Sequence, residues 1–183
     1  MIMRNLVILA LLLLAGLIGF LVYSFLNIER TPDTPTGGEG AKEEEVGETI
    51  PPFSLTDYTG KEVPLSAFEG KALVVNIWAS WCPFCVDELP DFAVLQEDFK
   101  EEVAVIAINR GETRNTAKEF TDSIGVTNRM TFLLDTNESY YRKIGGFAMP
   151  ETLFVRPDGT IYLHKRGPLL LSEMREVVEE MLK

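Results

Sequence analysis

Cysteine and histidine are almost missing from this chain, which has two of the first and one of the second in 183 residues. Cys82 and Cys85 form a single Cys-x-x-Cys, so no framework of disulfides can tie the rest of the chain together. A zinc site built on the pair would need two further ligands, yet there is no third cysteine and only His164, so two chains would have to share it. Positive charge is scarce as well: 17 Lys and Arg face 28 Asp and Glu, a formal net charge of -11. Such a chain repels a polyanion, which excludes a nucleic-acid role. No internal repeat is present. The length leaves room for one membrane segment and one domain of ordinary size, so one compact domain must carry the function.

What is there begins with an uncharged, apolar run from Leu6 to Leu26. At the helical rise of about 1.5 Å per residue it matches a bilayer core of about 30 Å, which predicts a transmembrane anchor over 5–26 behind a cytoplasmic terminus of residues 1–4. A cleaved signal peptide would have a shorter apolar core and a small-residue cleavage site, and no clear Ala-x-Ala follows here. Arg4 precedes the run and acidic residues dominate beyond Arg30, which places the rest of the chain on the extracytoplasmic side of a cytoplasmic membrane. Residues 27–48 are rich in Pro, Thr, Gly and Glu and read as an acidic flexible tether, with Glu43-Glu44-Glu45 a solvated run rather than a docking site.

The folded domain is expected over 49–183. Phe53–Thr56 and Glu62–Leu65 flank the turn Asp57-Tyr58-Thr59-Gly60 as a hairpin. Leu73–Trp78 and Val103–Ile108 are short apolar runs suited to strands buried on both faces. Leu89, Phe92, Leu95 and Phe99 recur at helical spacing between them, with Pro90 expected to kink that helix. Helices are predicted at Thr116–Ile124, Tyr140–Ile144 and Leu170–Leu182, a strand at Thr131–Leu134, and a hairpin of Thr152–Val155 with Thr160–His164. Strands alternating with helices, then a terminal hairpin and helix, give an α/β fold with a mixed central sheet covered on both faces.

The chemistry concentrates in Trp78-Ala79-Ser80-Trp81-Cys82-Pro83-Phe84-Cys85, where a buried strand hands over to a helix. A helix N-terminus offers partial positive charge and free N–H groups, which lower the pKa of a cysteine there. Cys82 is then the exposed nucleophile and Cys85, one turn further in, the shielded thiol that resolves a mixed disulfide. A purely structural disulfide gains little from closing so short a loop, and an inert buried pair has no need of the helix entrance. Glu88 follows Cys85 by three residues and shares its helical face. His164 reads as a surface residue on the terminal hairpin and Trp78 as core.

This motif resembles the active site of the thioredoxin-like superfamily. More narrowly, Gly60-Lys61 through Leu65-Ser66, Phe68 and Gly70-Lys71 resemble the N-terminal hairpin of membrane-anchored TlpA- and ResA-type proteins, and Met149-Pro150-Glu151-Thr152-Leu153-Phe154 resembles the proline loop of DsbE-type proteins of cytochrome c maturation. The resemblance covers 50–183 and implies a thioredoxin-like fold with a central insertion supplied by 116–134. It implies a thiol:disulfide oxidoreductase without a cofactor beyond the Cys82–Cys85 disulfide and without a metal. Where thioredoxin has a buried aspartate this chain has Asn76, and Glu88 becomes the acid/base residue. Pro150 is expected to follow a cis bond facing the cysteines, leaving Met149 to pair with an extended substrate. Trp81, Pro83, Phe84, Met149, Pro150 and Glu151 are the surface expected to meet that substrate, with Trp81 sheltering Cys82 and Glu151 a second acid beside the site. Phe84 stands where strong oxidants of the superfamily have a histidine, so the protein is expected to act as a reductant. The implied substrates are exported proteins such as apocytochrome c, with electrons from a membrane thiol donor. The rival readings are a general oxidase or isomerase and a copper-binding assembly protein using the cysteines as soft ligands. A peroxidase is disfavoured, because Pro-x-x-x-Thr-x-x-Cys is absent around Cys82.

Overall fold

The computed structural model describes residues 17, 18, 20, 23 and 47–183. Leu17, Ile18, Phe20 and Tyr23 are helical and exposed, and no helix among the described residues is long and apolar enough to cross a membrane. The predicted anchor over 5–26 and the tether over 27–48 lie almost wholly outside the described residues.

From residue 47 onward the chain builds one seven-stranded mixed sheet in the order β2-β1-β5-β4-β3-β6-β7. Its strands are β1 (Ser54–Asp57), β2 (Glu62–Pro64), β3 (Ala72–Trp78), β4 (Val103–Arg110), β5 (Thr131–Asp135), β6 (Glu151–Val155) and β7 (Ile161–Arg166). β3, β4 and β5 run parallel, while the β1–β2 and β6–β7 hairpins add antiparallel edges. The helices are α1 (Pro83–Asp98), α2 (Arg114–Ser123), α3 (Ser139–Lys143) and α4 (Leu171–Met181).

All seven residues of β3 are buried, which fits its unalternating apolar sequence between two neighbouring strands. Its side chains nevertheless divide by face. Leu73, Val75 and Ile77 join Ile50, Phe53, Tyr140 and Tyr141 on one side. Ala72 and Val74 pack with Phe92 and Leu95 of α1 and Met174 and Val178 of α4 on the other, continued by Trp78 with Leu89 and both cysteines. Burying a Leu or Phe side chain stabilises by about 1.5–3 kcal/mol, so the stripe Leu89, Phe92 and Leu95 is what fastens α1 to the sheet.

Boundaries moved where backbone hydrogen bonding decides them. Leu65 still donates its N–H to Phe53 C=O at 3.0 Å but leaves the strand expected for it and opens a 3-10 turn through Phe68. α2 starts at Arg114, two residues early, since Thr113 caps it by accepting the Thr116 N–H at 3.2 Å. α1 continues through Pro90 as a single element. The chain enters the sheet beside β7: Thr49 bridges Thr160, and Ile50 N–H donates to Gly159 C=O at 2.9 Å.

Candidate active site

β3 ends at Trp78, a short loop follows, and Cys82 occupies the N-cap of α1 in extended conformation (φ -91°, ψ 109°). Pro83 takes the first helical position, where a missing N–H costs nothing. Cys82 Sγ accepts the Cys85 N–H at 3.2 Å and is bonded to Cys85 Sγ, with the two Cα atoms 5.3 Å apart. The sulfur of Cys82 thus sits where the helix offers unpaired N–H groups and positive potential, an environment that favours a thiolate once the bond is reduced. One expectation fails here. Cys82 is only 2% exposed and Cys85 1%, because the disulfide turns both sulfurs into the cluster of Trp78, Leu89 and Ala107, with Met149 packed against it. Trp81, Pro83 and Phe84 are the exposed members of the motif.

Glu88 lies on the buried face of α1 with Cys85, as the three-residue spacing requires, and is 3% exposed. Burial pushes its carboxyl up to about 7; the Leu169 N–H, donated to Oε1, works against this, and Asp91 and Glu173 add to it. Oε2 is buried without a hydrogen-bond partner. A cleft of about 270 Å³ opens beside it, between α1 and the segment before α4, lined by Phe84, Asp87, Asp91, Leu169, Leu170 and Glu173. A carboxyl held near neutrality one turn beyond Cys85 is equipped to exchange a proton with a thiol.

The Met149–Pro150 bond is cis, as expected, and Met149 packs against the cluster that contains both cysteines. Glu151 is not part of the substrate-facing surface. In the sheet it pairs with Ile77, whose side chain lies on the face away from α1, and it is fully buried. Its Oε1 accepts the N–H groups of Phe147 (2.8 Å) and Ala148 (2.7 Å), and Oε2 lies 2.9 Å from His164 Nε2. Burial pushes its carboxyl up, but these bonds more than offset that and leave it below the usual value. His164 is likewise no surface residue: its side chain is 8% exposed, drawn in by that carboxylate.

Two further sets of contacts at the site escaped the sequence reading. Glu112, in the loop after β4, accepts from the Ser80 N–H (2.8 Å), the Ser80 hydroxyl and Asn109 Nδ2 (2.6 Å), clasping the segment that leads into Trp81 and Cys82. A lone glutamate after a glycine carries no signal of this in a single sequence. Asn76 donates from Nδ2 to Thr152 Oγ1 across the β3–β6 pair at 3.2 Å, so the amide serves as a satisfied crosslink. Among the described residues no cluster of three or more His, Cys, Asp or Glu is arranged to hold a metal ion.

Comparison with known proteins agrees with this geometry. The chain is 29% identical over 176 residues to the thiol-disulfide oxidoreductase ResA of Bacillus cereus, covering 94% of this chain and 91% of that one. It is 30% identical over 158 residues to the thiol:disulfide interchange protein DsbE of Vibrio cholerae, covering 84% of each. The fold matches the crystal structure of a DsbE-type interchange protein from Chlorobium tepidum with a TM-score of 0.70 at 24% identity, over 75% of this chain and 98% of that one. Residues 46–164 match the AhpC/TSA family. With a disulfide at the mouth of α1 on a thioredoxin-like sheet, the chain belongs to the AhpC/TSA family and is a thiol-disulfide oxidoreductase of the ResA and DsbE type.

Proposed function

We propose that this protein is a disulfide reductase held at the extracytoplasmic face of a membrane, acting on exported proteins and above all on apocytochrome c. The observation that carries the reading is the pairing of a helix-capping Cys82–Cys85 disulfide with a buried carboxyl, Glu88, on the same helix face. In the reduced state the Cys82 thiolate attacks one sulfur of the substrate disulfide, forming a mixed disulfide and releasing the other substrate sulfur as a thiolate. Glu88 takes the proton of Cys85, whose sulfur then attacks Cys82 Sγ and frees the second substrate thiolate. The two substrate thiolates gain protons, and two electrons have passed from the dithiol to the substrate. A membrane dithiol restores the reduced pair.

The direction rests on what surrounds the sulfurs. Phe84 offers no cation to a thiolate, and the carboxyls of Asp87, Glu88 and Asp91 gather on the first turns of α1. Like charge raises the cost of the thiolate form and so favours the disulfide, the property of a reductant. The link to cytochrome c is supported by the similarity of Met149–Phe154 to the DsbE proline loop. The experiment is trapping in membranes with Cys85→Ala, which leaves Cys82 to form a mixed disulfide that cannot resolve. Recovery of apocytochrome c bonded to Cys82 is the expected result, and a trapped set lacking it would remove the proposed substrate.

A further inference from the structure

The cysteines themselves are held at the entrance of α1, but the segment that would receive a substrate chain is held by something else. Of residues 147–150, Phe147 and Ala148 give their N–H groups to Glu151 Oε1, Ala148 C=O accepts the Tyr141 hydroxyl at 2.9 Å, and Pro150 C=O accepts the Gly167 N–H at 2.9 Å. Among the described residues no hydrogen bond engages the backbone N–H or C=O of Met149. The loop is thus fastened on both sides of Met149, the residue of the four whose main chain is left open and which packs against the cluster that holds both cysteines. It has little slack: a Cβ on Gly146 would lie 2.3 Å from the Tyr141 ring.

The principal fastener is itself fastened. Glu151 is fully buried and on the sheet face opposite α1, so it reaches no substrate. Its bonds at Oε1 are both accepted from main-chain N–H groups, and Oε2 meets His164 Nε2 at 2.9 Å. A carboxylate can only accept, so Nε2 must carry the hydrogen, and His164 acts as a donor whether neutral or protonated. Without that donor one oxygen of a buried carboxylate would be unpaired, a costly state that a rearranged loop would relieve.

We propose that Glu151 is a positioning residue for substrate docking, holding Phe147 and Ala148 so that Met149 presents its open backbone to an extended protein segment, and that His164 locks Glu151 in place from beneath. The proposal rests on the reading of the protein as an exchanger of protein disulfides. It separates two properties that a structural role would move together. A small disulfide needs only the sulfurs, whereas a peptide needs the loop as well.

The test uses the reduced full chain in detergent micelles, reacted in single turnover with a short synthetic peptide closed by a disulfide and, separately, with hydroxyethyl disulfide. Removal of two accepted N–H bonds in Glu151→Leu is expected to raise the half-saturating peptide concentration by about tenfold or more, with the limiting rate and the small-disulfide rate changed by less than about threefold. Glu151→Gln keeps a carbonyl oxygen for the two N–H groups and an amide for His164, so it is expected to stay near wild type. His164→Gln retains a donor and should follow wild type, while His164→Leu should follow Glu151→Leu; this pair decides the matter if Glu151→Leu does not fold. An unchanged half-saturating concentration in Glu151→Leu and His164→Leu, a Glu151→Gln protein as impaired as Glu151→Leu, or equal loss toward peptide and hydroxyethyl disulfide would each overturn the proposal. If wild type exchanges only in the oxidising direction, the reductase reading falls, and the same variants compared with the dithiol peptide still decide the role of Glu151.

Discussion

Glu88 and Leu169 meet through a backbone N–H donated to one carboxyl oxygen, while the other oxygen of Glu88 stays buried with no partner at all. A structural glutamate would use both. This one is held by one oxygen and left open by the other, beside a cleft that leads to solvent and one turn from Cys85.

Stability should record that arrangement. Glu88 titrates at about 7 in the folded protein against a reference value of 4.5. The native state therefore keeps its proton to higher pH than the unfolded chain does. The stability that goes with the neutral form is fully present below about pH 4.5 and is lost as pH rises through about 7. Glu88→Gln is neutral throughout, so it is expected to exceed wild type above pH 8 by about 3 kcal/mol and to converge with it in acid. Urea unfolding of the oxidised proteins at pH 5 and pH 8 measures the difference, and a constant gap would show that Glu88 does not titrate in this window.

The same substitution should slow exchange without abolishing it. Proton transfer by a positioned group contributes about 10²–10⁴-fold in rate, and water can partly replace it. Cys82→Ser removes the sulfur that forms the covalent intermediate and is expected to leave no activity. Stopped-flow exchange with a disulfide substrate compares the two, and a Glu88→Gln rate equal to wild type would make Glu88 a bystander.

The reduction potential is expected nearer the thioredoxin value of about -270 mV than the DsbA value of about -120 mV. Phe84 is exposed beside the sulfurs, so Phe84→His can supply a thiolate partner without disturbing the core. It should raise the potential by about 30 mV or more, the equivalent of about 1.4 kcal/mol for two electrons. Equilibration with glutathione gives both values. A wild-type potential above about -180 mV would reverse the assigned direction.

Glu112→Ala should loosen the approach to the cysteines. Three donors lose their acceptor, and the cost of leaving partly buried polar groups unpaired is about 1–3 kcal/mol. Thermal unfolding is expected to show that loss, and the pH profile for alkylation of the reduced Cys82 should move to higher pH as the N-cap geometry that favours its thiolate relaxes. A melting curve that overlays wild type would mean that the clasp is idle.

Topology is tested separately. Residues from about Asn27 onward are expected on the oxidising side of the membrane, so protease added to intact spheroplasts should remove the domain. Survival until the membrane is broken would invert the orientation.

Much of the domain could be read from the chain because local signals agreed with the fold. β3 and β4 are unbroken apolar runs, the stripe of α1 keeps helical spacing, and Arg156-Pro157-Asp158-Gly159 demands a turn that Gly159 completes at φ 87°. The cysteine pair, Glu88 and the cis-proline loop followed from spacing and resemblance. What could not be read depends on contacts between distant segments. Glu151 looks like an exposed acid until the register with Ile77 turns it inward, and His164 looks solvated until Glu151 is placed beside it. The burial of Cys82 is another case, since a helix entrance predicts access but says nothing of the cluster with Trp78, Leu89 and Ala107 that takes in the sulfur.

The bridge between Thr49 and Thr160 has one more consequence. It lies beside the hairpin end of β6, where Val155 pairs with Leu73 at the start of β3, while the disulfide follows the other end of β3. Seven extended residues separate these poles by about 20 Å. Whatever precedes residue 47 is therefore joined to the domain at its stern, with the sulfurs at the bow. A fusion, tag or surface linkage made there leaves the reactive end free to meet large partners head-on, whereas the same attachment after Lys183 would sit on the helix that follows the Glu88 cleft.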